Sequence, residues 1–498
     1  MIKTREYGGM KKLVFFSINY MYLPIILFLL TWLSPLYSIV MVTLCTVAIY
    51  FGYCSITDGL EKNSILSETN FYSVILVCGF FVAVGVFFGG GLAFFPQDYD
   101  WSKHSAILND LVNYDWPVVY KNNSLLTYYL GQYLVPGFMG KVFHSTVVAG
   151  WSQVVWNALG YTLIFYWLVV LTKADNKKRK LVVLLFFIFF SGATNLGYFL
   201  YRLLGHDSLF NSYKWIDMEA FKVHFASNFD VMRGAFQHVI LPWMACCLFL
   251  IKKENVSTYA LIALPVFFSA AFGFVYLAVI LIAYTLVEMH RYGRDIFKKL
   301  FSKENIFIFI VALVFGVYFI GNVGGNKPDM VGFSVINYSS NAVFYIIFTM
   351  VEFGVYLLYL YKNQHNTPIF WIITIELFLI PFLGLGMYND LCSRGSIPAR
   401  FILMVLLINE FWRLDLRKGL SIIAVLFLLS GTINVMTQGA GIVLTAYRTG
   451  FNPEVNTRTD FVTLEGMAAN PEIRADEAYN YFTLDYNNSL FFKIADKK

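Results

Sequence analysis

Charge is what this sequence has least of. Asp, Glu, Lys and Arg make up 14% of its 498 residues, where a soluble domain carries roughly a quarter, and that deficit excludes an ordinary water-soluble fold. Cysteine is scarce as well. Of six, Cys45, Cys54, Cys78, Cys246 and Cys247 sit inside apolar runs and only Cys392 in a loop, so there is no disulfide framework, and no CxxC or zinc-like Cys/His spacing occurs. No GK[ST] follows the run Gly89 to Gly91, which closes an apolar segment, so that run is not a nucleotide cradle. The net charge of +6 gives no reason to expect nucleic acid, because the basic residues gather in short loops between apolar runs and read first as a topology signal.

What is present is oil. Apolar residues are 58% of the chain and aromatics 19%, which predicts an all-α polytopic integral membrane protein. Runs of spanning length fall at 13–33, 36–56, 71–95, 150–172, 181–203, 234–251, 305–321, 341–361, 368–387 and 420–438. The stretch 256–289 is too long for one upright helix, and Pro265 with Ser269, Ala270, Ala271 and Gly273 allows a bend, so it reads as two helices. The short run Phe401 to Phe411, flanked by arginines, completes a count of about thirteen spans.

Positive residues test that count, because Lys and Arg in short loops collect on the cytoplasmic side. With the N-terminus inside, residues 1–12 carry four, 173–180 five, 252–254 two, 290–304 five and 413–419 three. The outer loops 96–149, 204–233, 322–340 and 388–400 together carry only nine, along with ten acids. A single span at 256–289 would turn the last two basic loops to the wrong face. The chain therefore divides into a transmembrane body, 1–438, and a short extracytoplasmic tail, 439–498, too small for a catalytic core of its own.

The outer loop 96–149 is not a plain linker. From Trp101 to Val112 the apolar residues recur at helical spacing, which predicts an amphipathic interfacial helix with Asp100 and His104 on one face and Asp98 just before its positive end. A second stretch, 124–143, carries Tyr128, Tyr129 and Tyr133, is broken by Gly131, Pro136 and Gly137, and reads as an outer interfacial or re-entrant helix, since a span there would invert every later loop. Two interpretations of the acidic cluster stay open. Asp98 is either a helix cap with Lys103 and His104 as a solvated edge, or part of a site at the end of a span.

The order Asp98-Tyr99-Asp100-x-x-Lys103-His104 resembles the D-Y-[DE]-x-x-[KR]-H pattern in the first large lumenal loop of the endoplasmic-reticulum glucosyltransferases that extend the lipid-linked N-glycan precursor, members of the GT-C superfamily. About fifty residues carry the match. The loop here follows the third span, Asp100 stands where Glu is usual, and the C-terminal half holds no second family motif. The resemblance implies a GT-C-like body and an inverting glycosyltransferase that takes its sugar from a polyprenyl-phosphate carrier on the extracytoplasmic face, with Asp98 as general base and Asp100 beside it. It also implies metal-independent chemistry with no cofactor, although Asp98 and Asp100 could share a divalent cation.

Such a transfer needs cations or donors where charge develops on the departing phosphate. Candidates on the same face are Lys103, His104, Arg233, His238, Arg394 and Arg400, arginine being the better phosphate ligand. The stretch 228–243 sets Asp230, Arg233 and His238 at the outer end of a span, where His238 is either a buried hydrogen-bonded residue or a donor into a cavity. The stretch 386–400 joins Asp390, Arg394 and Arg400, as a local ion pair or a phosphate pocket. Inside the membrane, Glu352 and Glu376 are expected to be protonated, mutually hydrogen-bonded or facing a wet cavity. The expected partners are a polyprenyl-phosphate-linked sugar, a glycan or lipid-linked acceptor and membrane lipid, in a bacterial plasma membrane. Two other functions compete: an O-antigen-type polymerase or ligase working on lipid diphosphates, and a secondary transporter or flippase, which would be expected to show paired halves with interrupted helices.

Overall fold

The computed structural model describes residues 8–60, 71–205, 223–323, 333–339, 342–385, 389–458, 460–470 and 479–496. Residues 1–7, much of the loops 204–233 and 322–340, and Gly386 lie outside the described residues.

In chain order the bundle begins with α1 (Gly8–Trp32), α2 (Pro35–Thr57) and α3 (Phe71–Phe87). The next connection holds α4 (Trp101–Asn113), the short strand β1 (Leu125–Leu126) and α5 (Leu134–Val142), and leads into α6 (Thr146–Leu171). Then come α7 (Lys177–Phe189), α8 (Thr194–Leu203), α9 (Asn228–Gly234), α10 (Ile240–Ile251), α11 (Tyr259–Ser269), α12 (Ala271–Tyr292) and α13 (Lys303–Val323). Strand β2 (Ser334–Val335) precedes α14 (Ala342–Thr349) and α15 (Val355–Gln364), which a π turn at Met350–Gly354 joins into one rod. The chain continues through α16 (Pro368–Leu379), β3 (Leu383–Gly384), α17 (Asp390–Gly395), α18 (Ile397–Phe411), α19 (Gly419–Arg448) and β4 (Phe482–Thr483).

Length and composition define the long helices. α1 has 25 residues, about 37 Å at 1.5 Å per residue and enough to cross a ~30 Å hydrocarbon layer. Among the described residues eight helices are long and apolar enough to span a membrane, and up to ten if the bent pairs α7–α8 and α9–α10 each count as one span. Three shorter apolar helices, Phe71–Phe87, Val256–Ser269 and Pro368–Phe382, accompany them. The fold is an all-α polytopic membrane protein.

Several expected details appear with their physical causes. α11 and α12 form the hairpin, broken at Ala270, whose extended backbone (φ −156°, ψ 69°) ends α11; Gly273 then lets α12 approach Pro242, 3.3 Å from the place of a β-carbon. The stretch 124–143 is no span: a strand, a 3-10 turn at Leu130–Gln132 and the nine-residue α5 occupy it. α3 stops at Phe87, short of the expected residue 95, because the glycine run turns the chain. Gly89 (φ +90°) and Gly91 (φ +70°) adopt a conformation other residues resist, and a β-carbon on Gly89 would sit 2.8 Å from Gln97 Cγ. The short run 401–411 gains spanning length from α17 and α18 upstream, a 22-residue segment Asp390–Phe411.

The connections sort to two ends of the bundle. At one, Lys252 Nζ donates to Ser55 O at 3.1 Å, Ser302 Oγ to Ser257 O at 3.1 Å, and Trp412 Nε1 to Thr172 O at 2.7 Å, which groups the basic loops. At the other lie the 88–145 connection and the tail. The body extends ten residues further than expected, since α19 runs to Arg448. Beyond it the tail is woven into the motif loop: β4 pairs antiparallel with β1, Asn456 Nδ2 donates to Phe94 O at 2.8 Å, and Ser34 N donates to Ile494 O at 3.0 Å. Phe491 fills an aromatic nest with Phe28 and Tyr318 and is fully buried.

Candidate functional site

The motif loop reaches its position through bonds at both sides. Gln97 Nε2 donates to Gly89 O at 2.8 Å and Gln97 N to Asn456 O at 3.0 Å, while Arg233 Nη2 donates to Pro96 O at 2.9 Å. These bonds lay Asp98 over the sharp bend of 114° between α9 and α10. A β-carbon on Gly234 would come 2.7 Å from Asp98 Oδ2, so only glycine leaves room for the carboxylate there.

Of the two readings of Asp98, the helix cap does not hold. The cap position is Asp100, whose side chain makes no capping bond, and Asp98 Oδ1 instead accepts the Asp100 N–H at 3.1 Å. Oδ2 accepts no hydrogen bond from the described residues. Burial pushes the Asp98 carboxyl up to about 6, with the charges of Asp100 and Asp230 adding and Arg233 opposing. Two residues on, burial also works to raise Asp100, but Lys103, Arg394 and His104 outweigh it and hold that carboxyl below its ordinary value. Neighbouring carboxylates of one tripeptide are thus driven apart, one toward a poised base and one toward a fixed anion. Lys103 pairs with Asp100 at 3.2 Å and lies over the Tyr99 ring.

His104 is not on a solvated edge; it is 2% exposed. Its Nε2 lies 3.0 Å from Gly234 O and its Nδ1 2.7 Å from the Tyr133 hydroxyl. A carbonyl only accepts, so the proton is on Nε2 and Tyr133 donates to Nδ1. Burial lowers the imidazole to about 4, which keeps this neutral form. Both nitrogens are engaged by the protein, so His104 ties α4 to the 124–143 segment and to the bend below Asp98, a positioning role in place of the phosphate contact expected from sequence.

The second cluster arrives from the far end of the chain. Arg394 Nε lies 3.4 Å from Asp390 Oδ1 and Arg394 Nη1 lies 3.1 Å from His238 Nε2. Arginine has only donors, so His238 accepts on Nε2 and carries its proton on Nδ1, which is buried and unpartnered. Arg394 acts electrostatically on Asp100, so the segments around 98, 238 and 394 share one site. Arg400 does not join it. It is turned to Ala226 O and over the Phe225 ring at 5.4 Å, in a separate buried group with Glu352, whose Oε1 accepts from Thr194 Oγ1 at 2.8 Å. Glu352 and Glu376 are not bonded to each other; both Glu376 oxygens are buried without partners.

Sequence reasoning missed the wall of this site. Tyr128 packs on Tyr129 at 4.8 Å and on Tyr481 at 4.5 Å, and Tyr129 meets His238 edge-on at 5.3 Å. The tyrosine cluster in 124–143 was visible as a pattern, but nothing local joined Tyr481 of the tail to it. Asp230, which the sequence did place in the 228–243 cluster, accepts from Ser227 Oγ at 2.5 Å and so holds the start of α9. Among the described residues no group of three or more His, Cys, Asp or Glu gathers as a metal site.

Fold and site together define a polytopic membrane protein with an ionisable cluster at one mouth of its helix bundle. Compared with protein-family models, with curated proteins and with solved structures, the chain finds no match in any of the three.

Proposed function

We propose that this chain is a GT-C-like glycosyltransferase that moves a sugar from a polyprenyl-phosphate carrier to an acceptor hydroxyl at the extracytoplasmic face of a bacterial plasma membrane. The observation that carries this reading is that Asp98, poised near 6 with one unengaged oxygen, stands two residues from Asp100, which pairs with Lys103 and feels the charge of Arg394, an arginine from a distant segment bonded to His238. Asp98 Oδ2 takes the acceptor proton as the acceptor oxygen bonds to the anomeric carbon. The bond from that carbon to the phosphate oxygen breaks on the opposite face, which inverts the centre, and polyprenyl phosphate departs toward Arg394 and Lys103. General-base assistance of this kind contributes roughly 10²–10⁴-fold. The leaving phosphate travels with the donor, so the step needs no cofactor, and Lys103 already supplies positive charge beside Asp100 where a divalent cation would sit.

The orientation belongs to the same proposal. Eight long helices, two bent pairs and three shorter apolar helices support about thirteen crossings, and the grouping of the basic loops at the end opposite Asp98 supports a cytoplasmic N-terminus. Asp98→Asn retains size and removes the base. In proteoliposomes with a radiolabelled polyprenyl-phospho-sugar, transfer by the variant is expected to fall by roughly 10²–10⁴ with insertion unchanged; normal turnover removes the assignment, and consumption of a lipid diphosphate alone moves the chain to the polymerases.

One observation favours a transporter. Glu352 and Arg400 are buried beside the 53° bend between α7 and α8 and beside the π turn at Met350–Gly354, and broken helices next to buried charge mark transport sites. Flux of a lipid-linked sugar across proteoliposomes without covalent product is the outcome that selects it.

A further inference from the structure

Around His238, where Arg394 reaches it, lies a set of polar atoms that no protein group satisfies. His238 Nδ1 and Gln237 Oε1 are buried without hydrogen-bond partners, and their residues are 1% and 3% exposed. The hydroxyls of half-buried Tyr129 and of Tyr481 border this pair; they are less enclosed and bond to none of the described residues. All four belong to one contiguous group: Tyr129 meets His238 at 5.3 Å, Tyr128 joins Tyr129 to Tyr481, and the Gln237 amide N–H points to the Tyr128 hydroxyl oxygen, which leaves Oε1 open. Arg394 closes one side through its contact with His238.

The chemistry of this group is mixed. A buried N–H seeks an acceptor, a buried amide oxygen seeks a donor, and phenol hydroxyls offer both. Unsatisfied buried groups of this kind cost about 1–3 kcal/mol each, so a resident ligand is expected to supply the complement. A phosphate offers acceptors only and leaves Gln237 Oε1 unpaired, and an isoprenoid tail pairs with neither. A pyranose ring presents hydroxyls that donate and accept around its rim and apolar C–H faces that pack on aromatic rings. We propose that Gln237, His238, Tyr129 and Tyr481 form the subsite for the sugar ring of the donor, next to a phosphate held by Arg394. The inference rests on the glycosyltransferase reading and adds that the C-terminal tail, through Tyr481, takes part in sugar selection. The tail is fixed for this by the Thr127 N–H to Tyr481 O bond at 2.8 Å and by Asn322 Nδ2 to Asn480 O at 2.7 Å.

The test uses the full chain carrying Asp98→Asn, so that nothing turns over, with two probes: undecaprenyl phosphate and a series of undecaprenyl-phospho-hexoses. Native mass spectrometry reads binding of each. One member of the series is expected to bind about tenfold tighter than the bare phosphate, the equivalent of one added hydrogen bond. Gln237→Ala and Tyr481→Phe are expected to erase that preference and leave undecaprenyl phosphate affinity unchanged, whereas Arg394→Ala weakens both probes. If hexose-bearing and bare lipids bind alike before any subsite change, or if Gln237→Ala and Tyr481→Phe weaken both equally, the subsite is overturned while the phosphate site stands. If neither lipid binds the parent protein, the glycosyltransferase reading itself falls.

Discussion

A carboxylate that must accept a proton near neutrality needs a raised pKa and an oxygen left open, and Asp98 has both. The sign of the pH response follows from the form required. The base acts ionised, so transfer is expected to be lost as pH falls through about 6 and to plateau above it, a limb read from kcat/KM against pH; a flat profile between pH 5 and 8 contradicts the role. Gly234 gives an independent check. Its backbone has no left-handed requirement, so Gly234→Ala is expected to fold, yet the added β-carbon crowds Asp98 Oδ2 from 2.7 Å and displaces it. A fall in kcat of about 10²-fold is expected, the cost of a misplacement on the order of 1 Å, with little change in melting temperature. Of these residues, Asp98, Asp100, Lys103 and His104 were legible because they lie within seven positions at the start of one helix. Gly234 was not, since its importance lies in a through-space approach that no spacing encodes.

At the scale of elements, the bends do what regular helices cannot. Helix α4 is amphipathic as its periodicity requires, but its polar face is not wholly wet: Asp110 is fully buried, accepts from Tyr120 Oη at 2.7 Å and from the tail's Leu464 N–H at 3.0 Å, and burial lifts it to about 6. The helix therefore serves as a dock for the tail. His104 joins it to Tyr133 of the 124–143 segment and to Gly234 of α9 by one buried bond each, each worth about 1 kcal/mol. With the cavity added, His104→Ala is expected to destabilise by about 2–4 kcal/mol, checked by thermal unfolding in detergent; an unchanged melting temperature denies the bridge. Phe491→Ala, in the nest with Phe28 and Tyr318, is expected to cost about 3–5 kcal/mol and to release tail segment 479–496 to protease first. Loss of the whole bundle at the same protease level speaks against a separately docked tail.

For the whole molecule the decisive quantity is which loops share an end. Cys54 is exposed in a cleft with Lys11, Ser55, Thr57 and Asp58, at the end where Lys252 joins Ser55 and Asp58. Glu454 is exposed at the other end, in the tail. A membrane-impermeant maleimide added to intact cells is expected to label Glu454→Cys on a Cys54→Ser background and to reach native Cys54 only after permeabilisation. The reverse pattern inverts the orientation and moves the site to the cytoplasm. The positions of the eight long apolar helices were legible because a hydrocarbon layer imposes a minimum apolar length on each spanning helix. The 114° and 53° bends were not, because they depend on which neighbours satisfy the freed backbone: Asn228 N reaching Phe190 O at 3.0 Å and Ala193 N reaching Val351 O at 2.9 Å are contacts between remote segments.

Composition and apolar run length alone determine that this chain lives in a membrane as a helical bundle, and short-range spacing determines that Asp98 to His104 gather at the start of one amphipathic helix, since both depend on a solvent or on local chain geometry. Tertiary structure decided the rest. It separated Arg400 from Arg394 although six positions part them, carried Tyr481 from the tail to Tyr128, and left Asp98 Oδ2 open over Gly234. The reason is that burial and pairing are properties of three-dimensional neighbours, and the same side chain is a base, an ion-pair partner or an anchor according to which backbone lies opposite it.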